Sequence, residues 1–454
     1  MEELIIGFFK GFWIIPLILT FYFIIVSFNE NEKKAAYKGF FILIPEIILV
    51  VLVFQNSISF HICLIGCLLL LLLLIIFLIP FKNPKFIPEY SKTRFDERDI
   101  IFSRNLLVKG SARYNEYYKR KPEFKEKDDL FRSKPGILQS GTKFYDAELF
   151  SAADAAFAAV ESLQPLVDLP AHKKYARQLN DGELSEFIMN LAKKSGAVSC
   201  GITKLESYHL YSHVGRGGQY GEEVSLNHNY AIAFTVEMDK DSLSQAPYGP
   251  AVLESANQYL NAGKIAIKVA EFVRNLGFEA RAHIDANYRV ICPLVAQDAG
   301  LGIIGRMGLL MTPELGPRVR IGVVTTNASL NISPVKMDGS MIEFCRICKK
   351  CASSCPVQAI SFNEKKKING AEQWKINSEL CFTYWCTVGT DCGKCMSVCP
   401  YSHPDNFLHS LVRKFIQINP INRWLALNLD NFIYGKKIEP SHYNHQKSDS
   451  KMKS

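Results

Sequence analysis

The chain has 454 residues, too many for one compact core, and a guideline of about 150 residues per domain suggests roughly three units. Hydrophobic residues make up 48% and charged residues 21% of the sequence, which excludes a disordered or fibrous protein. The formal net charge of +9 is compatible with nucleic acid or with an anionic membrane surface, and alone it decides for neither.

Three apolar stretches open the chain, and each is close to the 20 residues that cross a bilayer as a helix. They are, roughly, Leu4–Phe28, Tyr37–Phe54 and Phe60–Phe81. Residues 1–81 are therefore predicted to form a membrane anchor with three transmembrane helices. The acidic Glu2 and Glu3 replace the basic start of a signal peptide, which disfavours a cleaved leader. Glu46 is expected to face another helix or to lie at shallow depth.

Basic residues lie on one side of this predicted anchor. They occupy the first loop and the exit from the third stretch: Lys33, Lys34, Lys38, Lys82, Lys85, Lys92, Arg94 and Arg98. The opposite side has an acidic start and the uncharged loop at Gln55–Ser59. Because cytoplasmic loops carry the excess of Lys and Arg, the sequence predicts a multi-pass protein whose chain after Phe81 faces the cytoplasm.

The soluble chain begins with a polar segment, 82–148, in which Tyr114, Tyr117 and Tyr118 alternate with basic residues. Such a mixture can bind single-stranded nucleic acid, but we expect a linker that wraps onto the next domain. Residues 149–335 then show the pattern of an α+β domain. Its predicted helices are Ala152–Leu163, Leu184–Ser195 and Ala256–Leu276, and its predicted strands are Tyr230–Met238, Tyr288–Leu294 and Val319–Thr325. The end, 411–454, is predicted to hold a helix at Trp424–Phe432 and a disordered basic tail.

Nine of the thirteen cysteines lie between Cys345 and Cys399, and this clustering indicates metal ligation in a reducing compartment. Two runs have bacterial ferredoxin spacing: Cys345-x₂-Cys348-x₂-Cys351-x₃-Cys355-Pro356 and Cys392-x₂-Cys395-x₃-Cys399-Pro400. The pattern predicts a ferredoxin-like domain over 336–410 with two [4Fe–4S] clusters that exchange ligands. Zinc is the alternative, but zinc sites rarely take two consecutive steps closed by x₃-Cys-Pro.

The predicted ligands of the first cluster are Cys345, Cys348, Cys351 and Cys399. The second would use Cys355, Cys392 and Cys395, with Cys381 or Cys386 as its fourth ligand. No Rossmann glycine fingerprint occurs in the sequence, so the spacing alone leaves the terminal redox cofactor open.

Several ordered motifs between Phe95 and Pro404 resemble the cobalamin-dependent reductive dehalogenases, which are similar to the epoxyqueuosine reductases. They include His283-Ile-Asp-Ala-Asn287-Tyr288, Gly389-Thr-Asp-Cys392-Gly and Cys399-Pro-Tyr-Ser-His-Pro404, and the most specific stretch runs from Ala299-Gly-Leu-Gly302 to Gly316-Pro-Arg-Val-Arg320. The resemblance implies a nitroreductase-like fold that binds a corrinoid over 149–335, although it assigns no corrinoid contacts. It also implies that Cys381 completes the second cluster and that Cys386 is free.

The resemblance further implies a tyrosine proton donor, and counting back from Leu276-Gly277-Phe278 gives Tyr259. A phenol suits this role because it stays protonated at pH 7 and can donate where negative charge develops. Its expected cation is Arg318, or else Arg320. Asp285 and Asn287 are the further catalytic candidates.

The predicted function is therefore reductive cleavage of a carbon–halogen bond at a cobalamin cobalt that is reduced through two [4Fe–4S] clusters. The alternatives are an epoxyqueuosine reductase-like enzyme and a membrane electron-transfer subunit. The expected partners are an organohalide, membrane lipid and a donor such as ferredoxin, a flavoprotein or a membrane quinol, without nucleic acid. Family members that act outside the membrane carry a twin-arginine signal, which is absent near the start of this sequence.

Overall fold

A computed structural model describes residues 10–55, 60–81, 83–335 and 338–437, with backbone alone at 60–63. The described chain divides into two compact units. The first contains the described residues up to Pro84, then Gly339–Cys348, and the described residues from Asp405 onward. The second contains Lys85–Asp338 and Lys349–Pro404. The predicted basic tail after residue 437 lies outside the described residues, and the predicted domain boundaries stay a prediction.

The described helices are α1 (Ile14–Asn29), α2 (Lys33–Phe54), α3 (Phe60–Leu78), α4 (Ile101–Asn105), α5 (Ala112–Arg120), α6 (Lys125–Arg132), α7 (Ala147–Glu161), α8 (Asp181–Lys194), α9 (Lys240–Ser244), α10 (Gly249–Asn275), α11 (Cys292–Asp298), α12 (Ser340–Cys348), α13 (Lys350–Ser354), α14 (Ser378–Val388), α15 (Lys394–Ser397), α16 (Phe407–Ile418) and α17 (Pro420–Tyr434). The strands are β1 (Ser199–Lys204), β2 (Tyr230–Glu237), β3 (Ala280–His283), β4 (Ile303–Ile304), β5 (Leu310–Met311), β6 (Val319–Thr326), β7 (Lys366–Ile368) and β8 (Ala371–Gln373).

In the first unit, two of the described helices are long and apolar enough to cross a membrane. One is α1 together with the turn before it, Lys10–Asn29, and the other is α2. The third apolar helix is shorter where its side chains are described, over Leu64–Leu78. A membrane anchor thus has the support of two helices, and the third span stays a proposal.

Helices α1 and α2 pack closely where Gly39 meets Ile24. A Cβ atom added at Gly39 would lie 2.6 Å from Ile24 Cγ1, so a larger residue would push the helices apart. Further along the pair, Thr20 Oγ1 donates a 3.1 Å hydrogen bond to Glu46 Oε1. Glu46 therefore contacts the neighbouring helix, as expected for a carboxyl group in an apolar helix.

The second unit is built on a four-stranded sheet in the order β1-β2-β6-β3, with every neighbouring pair antiparallel. Ile232 of β2 pairs with Val324 of β6, and both side chains enter a core shared with α8 and α10. The next residues, Ala233 and Val323, belong to a core that includes α11 on the other face. Because side chains alternate along a strand, the sheet is covered by helices on both faces.

Several predicted elements are confirmed and one is wrong. The predicted helix Ala256–Leu276 corresponds to the later part of α10 and its C-cap residue, Leu276. Gly277 follows in a left-handed conformation (φ 90°), which glycine adopts readily and which ends the helix. Strands β2 and β6 match their predictions closely. The predicted strand Tyr288–Leu294 is not formed: Cys292-Pro293 begins α11 instead, with proline in the first turn of that helix.

The segment before α7 packs against α14 through a buried ionic network. Arg104 is 1% exposed and contacts Asp128 at 2.5 Å and Glu379, on α14, at 2.6 Å. Tyr118 donates a 2.7 Å hydrogen bond to the same Asp128. These contacts fix α14, which carries two of the candidate cysteines.

Candidate active site

The cysteines predicted for the second cluster bring their thiols together in the second unit. They are Cys355, which follows α13, Cys381 on α14, Cys392 before α15 and Cys395 on α15. Burial raises the pKa of Cys395 well above its ordinary value, and four nearby thiols raise it further: those of Cys392, Cys351, Cys381 and Cys355. Cys392 likewise interacts with Cys381 and Cys355. Four adjacent thiols form the donor set that a [4Fe–4S] cluster requires.

Cys386 lies elsewhere on α14. It lies five positions after Cys381, and five steps along a helix correspond to about 140° around the axis. Its side chain belongs to an apolar cluster with Ile101, Phe131 and Phe382. Burial alone raises the pKa of the Cys386 thiol to about 11, whereas the thiol of Cys381 also interacts with that of Cys355.

The cysteines predicted for the first cluster are divided between the two units. Cys345 and Cys348 lie on α12 in the first unit. Cys351 lies on α13 and Cys399 follows α15, both in the second unit. The assignment of these four ligands stays a prediction.

Tyr259 lies on α10 and is half-buried beside the core of the second unit. The guanidinium carbon of Arg320, on β6, lies 4.7 Å from the centre of the Tyr259 ring. On another side, the Phe157 ring centre is 6.1 Å away. The phenol is thus held by apolar packing next to a positive charge.

Asp391 connects this arginine to the cysteine cluster. Arg320 Nη2 lies 3.2 Å from Asp391 Oδ2, and Arg320 also donates a hydrogen bond to the Ser255 hydroxyl. Ser255, on α10, donates to Asp391 in turn. Because Asp391 directly precedes Cys392 in the chain, the polar group at Tyr259 adjoins the candidate ligands of the second cluster.

The electrostatic surroundings keep the Tyr259 phenol protonated. Arg320 lowers the pKa of Tyr259, but burial and the carboxylates of Asp285 and Asp391 outweigh it, so the pKa lies above its usual value. Burial raises the pKa of the neighbouring Tyr288 well above the ordinary value, and the carboxylate of Asp285 raises it further. A neutral phenol beside a fixed cation can act as a general acid.

Arg318 occupies a different position from Arg320. It is 1% exposed and is held by the Ser402 carbonyl at 3.0 Å, the Met238 carbonyl at 2.5 Å and the Glu237 carboxylate at 2.7 Å. These contacts tie the start of β6 to neighbouring backbone. Of the two arginines that the sequence left open, Arg320 is the one in contact with Tyr259.

The structure also separates Asp285 from Asn287. The Asn287 amide accepts a 2.7 Å hydrogen bond from Arg281 and donates a 2.7 Å hydrogen bond to Gln164 Oε1, so both of its polar groups hold the turn after β3. Asp285 instead interacts electrostatically with Tyr259, through its carboxylate. The catalytic roles of both residues stay predictions.

Sequence reasoning missed Ser255, Asp391 and Arg216. Arg216 pairs with the buried Glu97 at 3.0 Å, and its guanidinium carbon is 5.7 Å from the Tyr288 ring centre. Asp391 could have been identified from the sequence, because it lies in the quoted motif Gly389-Thr-Asp-Cys392. Ser255 and Arg216 join the site only through tertiary packing.

Residues 344–403, which contain all eight predicted ligands, match the 4Fe–4S dicluster domain family. The chain is therefore an iron–sulfur protein with a dicluster domain beside an α+β domain.

Relatives in sequence include reductive dehalogenases and an epoxyqueuosine reductase. The chain is 34% identical over 224 residues to a tetrachloroethene reductive dehalogenase of Desulfitobacterium hafniense, which covers 46% of this chain and 39% of that protein. It is 31% identical to the tetrachloroethene reductive dehalogenase of Sulfurospirillum multivorans, covering 45% and 42%. The chain thus spans about two-fifths of the length of these relatives. An epoxyqueuosine reductase of Listeria monocytogenes is 28% identical over 25% of the chain.

In structure, the chain resembles the catabolic reductive dehalogenase NpRdhA. The TM-score is 0.64 at 23% identity, covering 78% of this chain and 49% of that one. The similarity shows a reductive dehalogenase-like fold. The chain is therefore related to the reductive dehalogenases, as its sequence motifs predicted.

Proposed function

We propose that this protein removes a halogen from an organohalide by reduction, with electrons supplied through two [4Fe–4S] clusters. The observation that carries the proposal is the adjacency of a protonated tyrosine, Tyr259, to Arg320 and to the Asp391-Cys392 step of the dicluster domain. The overall change is R–X + 2e⁻ + H⁺ → R–H + X⁻, so the reaction needs both an electron path and a proton donor.

The residues present fit a corrinoid beside the second cluster. Arg320 Nε is buried without a hydrogen-bond partner among the described residues, so it is available to donate to a further group. Tyr259 and Tyr288 keep exposed surface although burial raises the pKa of each, as side chains lining an enclosed space would. The structure of a reductive dehalogenase with a similar fold suggests a mechanism for B12-dependent dehalogenation. A bound corrinoid would supply the low-valent cobalt that reduces the carbon–halogen bond.

In this proposal Tyr259 Oη gives its proton to the carbon that loses halide. Arg320 stabilises the phenolate that remains, since a cation near a developing negative charge lowers the barrier. Asp391 and Ser255 position Arg320. The turn residue Asn287 holds the loop that carries Asp285, the second candidate donor.

We further propose that the first unit anchors the enzyme in the cytoplasmic membrane through three spans, with the catalytic domain on the cytoplasmic side. The support is the pair of apolar helices and the basic residues at the end shared by the α1–α2 loop and the exit from α3. Ferredoxin, a flavoprotein or a membrane quinol would supply the electrons.

The proposed function is tested by measuring halide release from halogenated phenols and alkenes with reduced holoprotein under anoxic conditions. Epoxyqueuosine reduction on tRNA is assayed in parallel. Halide release with no tRNA product supports the proposal. Conversion of the tRNA without halide release would replace it with the epoxyqueuosine reductase alternative.

A further inference from the structure

The two C-terminal helices, α16 and α17, form a hairpin whose polar and apolar faces are reversed relative to a soluble protein. Its buried side chains include His409 and Arg413 on α16 and Asn422 and Arg423 on α17. Its exposed side chains include Phe407 (66%), Leu411 (49%), Trp424 (62%) and Phe432 (57%). A soluble amphipathic helix does the opposite and turns its apolar face inward.

Exposed apolar residues form a stripe on each helix, which is interrupted by the exposed Lys414 on α16 and Asn428 on α17. On α17, Ile421, Trp424 and Phe432 are spaced by three and eight residues, which places them within about 80° of one another. On α16, Phe407 and Leu411 are one turn apart. Exposed apolar surface of this kind marks a site of association with protein or membrane.

Three of these four buried polar side chains have a partner at one end of the apolar helices, and Arg413 pairs with Asp405, just before α16, at 2.8 Å. His409 Nε2 lies 3.1 Å from both carboxylate oxygens of Glu30, directly after α1. Asn422 donates a 2.9 Å hydrogen bond to the Phe77 carbonyl near the end of α3, and Arg423 donates at 3.0 Å to Asn83. The inward polar groups therefore attach the hairpin to the apolar helices of the first unit.

These contacts all lie at the same end of the anchor. In an up-down-up arrangement, the α1–α2 loop and the exit from α3 share one side of the membrane. Lys38, early in α2, also donates to the Phe432 carbonyl at 2.5 Å. The hairpin is thus held where the apolar helices leave the hydrocarbon region.

We propose that the α16–α17 hairpin lies in the membrane interface, with its apolar stripe in the acyl-chain boundary of the lipid. Lipid is favoured over a protein partner because the stripe continues the apolar surface of the anchor. The Phe407 ring lies 6.4 Å from Tyr22 of α1, and the Phe415 ring lies 5.7 Å from Phe77 of α3. Aromatic residues, tryptophan above all, concentrate at this depth.

Charge at the hairpin agrees with a lipid surface. Lys414 on α16 and Lys436 and Lys437 after α17 are exposed, where they can reach headgroups. Lysine near an anionic leaflet contributes about 1 kcal/mol of attraction each. An interfacial helix typically combines such basic residues with exposed Trp, Phe and Leu.

The position of the hairpin also bears on electron entry. Helix α12, which carries Cys345 and Cys348, packs against both α16 and α17 within the first unit. With the hairpin in the interface, these two candidate ligands lie close to the membrane plane. The donor to the first cluster would then approach along the membrane surface.

The inference rests on the proposed membrane anchoring. One tryptophan can test the anchor, and another can test the position of the hairpin. Trp13 precedes α1, and Trp424 lies on the exposed stripe of α17. The full holoprotein, Trp13→Phe and Trp424→Phe are placed in nanodiscs of phosphatidylcholine with plain or brominated acyl chains. The emission of each tryptophan is obtained by subtracting the fluorescence of its variant from that of the parent protein.

Loss of the emission of both tryptophans in brominated lipid is the expected result. If Trp13 is quenched while Trp424 emits equally in both lipids, the hairpin is not in lipid and its stripe is covered by protein, which overturns the inference. If neither tryptophan is quenched, the membrane anchor itself fails, and with it the inference. Halide release is not needed for any of these outcomes.

Discussion

Replacing Arg320 with methionine isolates the contribution of the cation at Tyr259. Taking the 4.7 Å from the guanidinium carbon to the ring centre as the charge separation, with an effective dielectric constant of about 20, the attraction between the guanidinium and a phenolate is about 3.5 kcal/mol. Since about 1.4 kcal/mol corresponds to tenfold in rate, this is a loss of at most a few hundredfold. Arg320→Met is therefore expected to reduce turnover by about 10²-fold.

Tyr259→Phe removes only the hydroxyl and keeps the ring that packs beside Phe157. General-acid catalysis typically contributes about 10²–10⁴-fold, so a loss of at least about 10²-fold is expected. The double variant should be no slower than Tyr259→Phe alone, because Arg320 acts through the phenolate.

The assay is halide release by chemically reduced protein, compared at equal iron and corrinoid content. Arg320→Lys is the matched control, because it keeps a positive charge and should retain part of the lost activity. Near-normal turnover of Tyr259→Phe, or losses that multiply in the double variant, would refute this reasoning. Asp285 would then be the next candidate donor.

Three other outcomes are expected. Cys381→Ala should lower the iron content from about eight to about four per chain. Cys386→Ala, on the other side of α14, should leave it unchanged; the reverse pattern would mean that Cys386 is the ligand. Arg318→Met should lower the thermal midpoint by removing three contacts, two of them to buried backbone carbonyls, a loss of about 3 kcal/mol, while halide release per folded molecule stays within a few-fold of the parent. A large loss of specific activity with unchanged stability would place Arg318 in the chemistry. A reporter fused after Ser454 should be active only as a cytoplasmic fusion, and activity of a periplasmic reporter there would reverse the proposed topology.

The elements with a long, regular pattern could be predicted from the sequence. The amphipathic helix α10 and the apolar strands β2 and β6 fall in this group, and the cysteine spacing predicted the dicluster domain. Short apolar runs could not be assigned, because periodicity does not separate a buried strand from a buried helix over a few residues. This is why the strand expected at Tyr288–Leu294 is in fact the start of α11.

The hairpin shows another limit. The predicted helix Trp424–Phe432 is part of the longer α17, and α16 was not predicted at all. In α16 a histidine and an arginine face inward, while a phenylalanine and a leucine face outward. This pattern is explained only by the packing of α16 on the apolar helices near the start of the chain. Likewise, the choice between Arg318 and Arg320 depended on tertiary contacts that no local pattern records.

The central claim is that the clusters deliver electrons to a corrinoid beside Tyr259, and the corrinoid content of the purified protein tests it most directly. Protein produced anoxically with corrinoid supplied is analysed for cobalt, corrinoid absorbance and iron per chain. One corrinoid with about eight iron atoms per chain is expected. About eight iron atoms without cobalt would contradict the claim and identify an electron-transfer subunit.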